Sequence, residues 1–180
     1  ESGRPQAAFC AVPFLRESDL RTLTRSDTIE TRGERIAECA AQHYQGVVQE
    51  ALRQLGGVRE QAPIIATGHL FARGGAVGGG ERELYVGSLG DVPASIFPAE
   101  IDYLALGHLH RAQAVAGNPA RCYCGAPLAL EFTEGGAPRY VNLVDFEGRQ
   151  PRVEPVQVPV FDRLESVRGD EARLQERLRG

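Results

Sequence analysis

Tyr103-Leu104-Ala105-Leu106-Gly107-His108-Leu109-His110 is the stretch on which the reading of this chain turns. A mostly apolar run from Ile101 to Leu106 empties directly into a glycine and two histidines. Short apolar runs bounded by a turn residue form strands buried within a sheet. Residues two apart in an extended segment project to the same face. His108 and His110 can therefore aim both imidazoles at one spot, or at two adjacent metal ions. Gly107, which has no Cβ, permits a sharp turn and close backbone approach just ahead of them.

The same arrangement occurs once more upstream. Pro63-Ile64-Ile65-Ala66-Thr67 reads as a buried strand that runs into Gly68-His69. Side chains at strand ends, on loops held by a sheet, make rigid ligand sites. Imidazole suits manganese, iron, zinc or nickel, whereas carboxylates suit harder ions. A His-x-His pair alone is a weak signal, and a lone histidine after a strand is usually a hydrogen-bonded structural residue. Two glycine-histidine sites, each closing a strand, make His69, His108 and His110 the candidate metal ligands. His43 falls inside a helical pattern and reads as structural.

Outward from these sites the chain alternates between strand and helix signals. Ala7 to Val12 is a short apolar run ended by Pro13, and a polar, Arg-rich connection follows. Thr31 and Glu34 have capping-box spacing, and Ile36, Ala40, Val47, Ala51 and Leu55 recur at helical intervals, with Tyr44 and Val48 beside that stripe. Gly56-Gly57 supplies the helix stop. Ala72 to Gly80 carries five glycines and reads as a mobile loop, and Leu84 to Leu89 as a strand. Beyond the histidines the pattern predicts a β-meander: Ala120–Cys124, Tyr140–Phe146 and Arg152–Val160, with a turn at Glu147-Gly148. Val156, Val158 and Val160 alternate with Gln157 and Pro159, which gives the last strand one wet face, and its prolines favour a sheet edge. This order of elements predicts an α/β fold in mixed layers. Residues 1–160 read as one domain. Residues 161–180 read as a linker and, from Glu171 to Arg179, the helix that opens a second domain.

Composition narrows the function classes. At 180 residues, 42% hydrophobic and 24% charged, the chain matches a soluble globular protein. No apolar run approaches the ~20 residues that span a bilayer, and no secretory pattern is present. Cys10, Cys39, Cys122 and Cys124 lack the spacing of a zinc or disulfide framework and read as thiols of a reducing cytoplasm. The net charge of −4 argues against a domain that holds nucleic acid by bulk electrostatics. It leaves DNA open as a substrate, because bound metal ions supply positive charge locally. The chain has no methionine, from which we expect Glu1 not to be the natural start.

Tyr103 to Gln113, centred on Gly107-His108-Leu109-His110, resembles the last metal-ligand motif of the calcineurin-like metallophosphoesterases. Ala66-Thr67-Gly68-His69 resembles their earlier single-histidine motif. Between them, Tyr85-Val86-Gly87-Ser88-Leu89 and Phe97-Pro98 are similar to the spacer of the SbcD-type bacterial nucleases. The likeness continues in Tyr123-Cys124-Gly125-Ala126-Pro127-Leu128, in Tyr140-Val141-Asn142-Leu143-Val144, and in Ala8-Phe9-Cys10-Ala11-Val12-Pro13-Phe14-Leu15, so it covers nearly the whole chain. The resemblance implies half of a β-sandwich with flanking helices, leading from about Phe161 into the start of a capping domain. It implies two divalent metal ions, manganese most typically, with His69 and His108 serving one ion and His110 the other. It further implies a DNA exonuclease and hairpin endonuclease of repair and recombination. Such an enzyme works as a homodimer, away from membranes, with an SbcC-like SMC-type ATPase subunit.

The departures from the family pattern are equally specific. Its D-x-H motif, bridging aspartate and G-N-H-D/E motif precede the region matching Phe9, and none appears here. The proton-donating histidine belongs to that part, so no catalytic residue is assigned. Asp19, Asp27 and Asp91 stand in no such motif, and Ala126 takes a place where the family often has a small hydroxyl residue. Two cations about 3.5–4 Å apart need a bridging ligand, so three imidazoles without that carboxylate form a partial site. We therefore expect these residues by themselves to lack nuclease activity and to expose apolar surface. Two rival readings remain. One is a phosphodiesterase of the same fold acting on small phosphoesters, and the other is a non-catalytic interaction module whose histidines are structural.

Overall fold

The computed structural model describes residues 3–16, 29–72, 92–161 and 163–179. Five strands form one sheet: β1 (Ala8–Cys10), β2 (Ile64–His69), β3 (Tyr103–Gly107), β4 (Gln113–Val115) and β5 (Asn118–Tyr123). Their order is β1-β2-β3-β5-β4. β1, β2, β3 and β5 run parallel, and β4 lies antiparallel on the outer side of β5. Parallel neighbours need a long crossover, and between β1 and β2 that crossover contains α1 (Ile29–Leu55). β4 and β5 need only two connecting residues. Ala116 and Gly117 both have positive φ, +50° and +75°, which is the condition for a two-residue turn matching the strand twist.

α1 is described from Ile29, so Thr31 lies within the helix rather than at the cap the spacing suggested. The buried stripe runs Ile36, Ala40, Tyr44, Val48, Ala51 and Leu55, and Val47 sits at its margin. Tyr44 fixes that rotation. Its hydroxyl donates to the Thr67 carbonyl of β2 at 3.0 Å, and its ring meets Phe97 edge-on at 4.9 Å. Gly68 makes room for it, since a Cβ there would run into Tyr44 Oη. Ile64, Ala66, Leu104 and Leu106 complete this face of the sheet, each buried almost completely.

The opposite face carries a separate antiparallel pair, β6 (Arg139–Glu147) and β7 (Gln150–Val158). Asn142 Nδ2 reaches Tyr103 Oη at 3.4 Å and Cys122 Sγ at 3.3 Å, which sets β6 over β3 and β5. Arg149, in the turn at Gly148, bonds Asp102 at the entry to β3. The result is three layers, in the order α1, sheet, hairpin. The expected β-meander is thus corrected: β5 belongs to the parallel sheet, and only β6 and β7 form a hairpin of their own. Among the described residues β7 has no strand on its other side, as Pro151 and Pro155 require. The wet face of this pair carries Val141, Leu143 and Val156, which are exposed. α2 (Glu171–Arg179) starts at Asp170, whose Oδ1 accepts the Arg173 N–H at 3.0 Å as an N-cap. Among the described residues no helix is long and apolar enough to cross a membrane. The glycine-rich stretch after Ala72, the expected strand Leu84–Leu89, and Asp19, Asp27 and Asp91 lie outside the described residues.

Candidate metal centre

Parallel strands place all their carboxyl ends on one edge, where open α/β sheets bind ligands. β2 and β3 are neighbours, and His69 is paired in register with Gly107. His69 therefore closes β2 while His108 follows β3 directly, and the two rings stand 5.5 Å apart at 79°. Phe14, in the segment after β1, approaches His69 edge-on at 5.8 Å. A Cβ on Gly107 would lie 2.8 Å from His69 Nδ1, so the missing side chain is what lets that ring lie over β3. His108 has φ +105°, a conformation that costs a non-glycine residue on the order of 1–3 kcal/mol and clusters at functional sites. Leu109, 3% exposed, anchors the next position and holds the chain in that shape.

His110 sits at the same edge in a different environment. Its Nδ1 lies 2.8 Å from Glu134 Oε1, on the 3-10 turn Phe132–Glu134 that follows β5. Glu134 Oε2 accepts from Arg139 Nη2 at 3.1 Å and from the Leu130 N–H at 3.0 Å. The His110 carbonyl accepts from Arg139 Nη1 and from the Ala126 N–H, both at 3.1 Å. Gly125, with φ +82°, leaves the space for this, because a Cβ would stand 2.7 Å from that carbonyl oxygen. Burial raises the Glu134 carboxyl, but the Leu130 N–H, His110 and the Arg139 charge outweigh it and hold the group below the usual carboxylate range. His43 projects from α1 into solvent beside Tyr44 and takes no part in this edge.

No protein-family model matches the chain. It is 37% identical over 177 residues to the D subunit of the nuclease SbcCD from Escherichia coli (strain K12), an alignment covering 98% of this chain and 44% of that protein. The chain is a homologue of the SbcCD nuclease's D subunit. The same-named protein of Rhodobacter capsulatus is 35% identical over 161 residues, 88% of this chain and 38% of its own length. That of Bacillus subtilis is 39% identical over 106 residues, 57% and 27% respectively. The chain thus spans less than half the length of these SbcCD relatives.

The donor set fits a divalent ion in part. Two imidazoles on one ion, with metal–nitrogen bonds of about 2.0–2.1 Å, have ring centres roughly 5–5.5 Å apart, and the His69–His108 separation is of that size. His110 is brought to the same edge, where its Nδ1 is held by Glu134. Among the described residues no three His, Cys, Asp or Glu side chains converge to enclose a metal. Glu134 is the residue that sequence reasoning missed. It lies 24 positions from His110 in a loop without periodicity, so nothing local marks it.

Proposed function

We propose that this chain forms the histidine-bearing part of a metal-dependent nuclease that hydrolyses phosphodiester bonds in DNA, as an exonuclease and a hairpin endonuclease of repair and recombination. The observation that carries the reading is the pairing of His69 with His108 at the carboxyl edge of β2 and β3, in a homologue of proteins named nuclease. In this reading His69 and His108 hold one ion of a dinuclear site and His110 the other, with manganese the preferred metal. Such ions, when bound, generate hydroxide from water and neutralise charge developing on the phosphate. The residues of this chain orient the donors. Gly107 lets the His69 ring approach, Phe14 flanks it, and the strained backbone at His108 fixes where that ring points. With a net charge of −4, the chain leaves the positive charge a phosphate needs to the metal ions. The partners we assign are DNA, an SbcC-like SMC-type ATPase and a second copy of the same protein, in the cytoplasm.

The test is cleavage by the intact nuclease subunit, with manganese, of a DNA hairpin and of a small chromogenic phosphodiester. Hairpin cleavage is expected, with His108→Ala lowering it more than about 100-fold, beyond the effect typical of outer-shell changes. Manganese-independent cleavage, or full activity in His108→Ala, refutes the reading. Activity on the chromogenic diester with none on the hairpin favours a small-phosphoester enzyme. The 180 residues alone are expected to stay inactive.

A further inference from the structure

We infer that Glu134 is a positioning residue that fixes the tautomer and direction of His110, and that Arg139 locks this pair to the backbone. The inference rests on the metal-binding reading above and deepens it. An ionised carboxylate can only accept hydrogen bonds, so the 2.8 Å contact makes His110 Nδ1 the donor. A neutral imidazole protonated on Nδ1 presents Nε2 as its basic nitrogen, and Nε2 is then the atom offered to a cation. This is the carboxylate–histidine relation by which proteins orient metal-binding rings.

Arg139 makes the arrangement rigid rather than incidental. Its side chain is 10% exposed, and its guanidinium grips both ends of the His110 residue: Nη1 holds the main-chain carbonyl, and Nη2 holds the carboxylate that holds the ring. Its Nε is the buried side-chain polar atom left without a hydrogen-bond partner among the described residues. A buried donor without a partner is costly, so the guanidinium is placed for His110 and Glu134 rather than for its own full hydrogen bonding. Ala126 adds a second donor to the same carbonyl, and Gly125 admits it. The loop from β5 to β6 therefore acts as a clamp on one histidine.

The experiment reads tautomer and metal separately. Long-range proton–nitrogen NMR correlations of the histidine rings, recorded on the intact nuclease subunit without metal, report which His110 nitrogen carries the proton. Wild type is expected to be protonated on Nδ1. Glu134→Ala is expected to shift the ring toward the Nε2-protonated form that an unconstrained imidazole favours. Glu134→Gln, whose Oε1 still accepts, is expected to keep the wild-type form. Manganese affinity, read from paramagnetic broadening of the ring signals, should fall about 10–100-fold in Glu134→Ala and less in Glu134→Gln. A wild-type ring protonated on Nε2 overturns the inference, and that measurement needs no variant to fold. So does a Glu134→Ala ring identical to wild type. Wild-type protein that binds no manganese sinks the metal reading instead, and the metal-free tautomer tells the two failures apart.

Discussion

Among the described residues, Gly68, Gly107 and Gly125 shape this edge of the sheet, and the last two serve histidines in different ways. At Gly107 an added methyl would meet the far end of the His69 side chain, 2.8 Å away, and a side chain can turn aside. At Gly125 it would meet main-chain atoms, the His110 oxygen at 2.7 Å and the Ala112 nitrogen at 2.9 Å, on a residue with φ +82°. Backbone cannot step aside so cheaply. Gly107→Ala should therefore cost about 1 kcal/mol of stability while swinging the His69 ring away from His108. Gly125→Ala should cost on the order of 3 kcal/mol, strain and clash together. Urea midpoints and the ring proton shifts of His69 measure both. Equal destabilisation by the two variants would mean that His69 does not lie over Gly107 as described. The backbone of His108 belongs to the same scale. Its φ of +105° was not legible in Leu106-Gly107-His108, where the glycine seemed the natural place for an unusual dihedral.

At the scale of elements, Asp102 joins pieces that no periodicity connects. Its Oδ2 accepts from Arg59 Nη1 at 2.6 Å and from the Ile64 N–H at 2.8 Å, and its Oδ1 accepts from Arg149 Nε at 3.1 Å. One carboxylate, 8% exposed, thus binds the end of the helical crossover, the start of β2 and the hairpin turn. Removing it would leave Arg59, 12% exposed, without its carboxylate partner, whereas Arg149 is a third exposed and screened by water. Asp102→Ala should destabilise by roughly 3 kcal/mol, the low end for a broken buried pair, and Asp102→Asn by less. Chemical denaturation checks the order, and an Asp102→Ala midpoint equal to wild type would remove this joint from the account. The contrast with what the sequence revealed is physical. β2 and β3 were readable because strands covered on both faces are almost continuously apolar, and their ends delivered His69 and His108. α1 was readable from its stripe, although Tyr44 rather than Val47 sets the rotation, because a ring that reaches a β2 carbonyl outweighs a valine. β4 was missed, being three residues long and defined by the Ala116-Gly117 turn. The Asp102 and Glu134 links were invisible for one shared reason: both join residues many positions apart through polar contacts that leave no repeating pattern.

The whole molecule buries polar groups between its layers, and this fixes how it must respond to alkali. Burial, with a smaller push from Tyr123, drives the Tyr44 hydroxyl far above the ordinary tyrosine range. Burial also raises Tyr103, and the Cys122 thiol beside it adds to the rise against a smaller opposing effect from Asn142. Cys10 is raised by burial between β1 and α1, and Cys122 by burial beneath the hairpin. All four are easier to ionise in the unfolded chain than in the folded one. Below the ordinary thiol value of about 8.5 neither state ionises, and stability is fully present. As pH climbs past about 8.5 and then about 10, the unfolded chain loses thiol and phenol protons that the folded chain retains, so stability falls. It continues to fall until the folded values are reached. Urea midpoints at about pH 7, 9 and 10.5 should accordingly decline in that order, with the larger drop in the second interval, where the tyrosines join the cysteines. Tyr44→Phe should reduce the drop by removing one of those phenols, at the cost of the bond to Thr67. A midpoint constant across that range would mean that these hydroxyls and thiols meet water in the folded state. The stacking of α1, sheet and hairpin that holds the histidine edge in place would then be wrong.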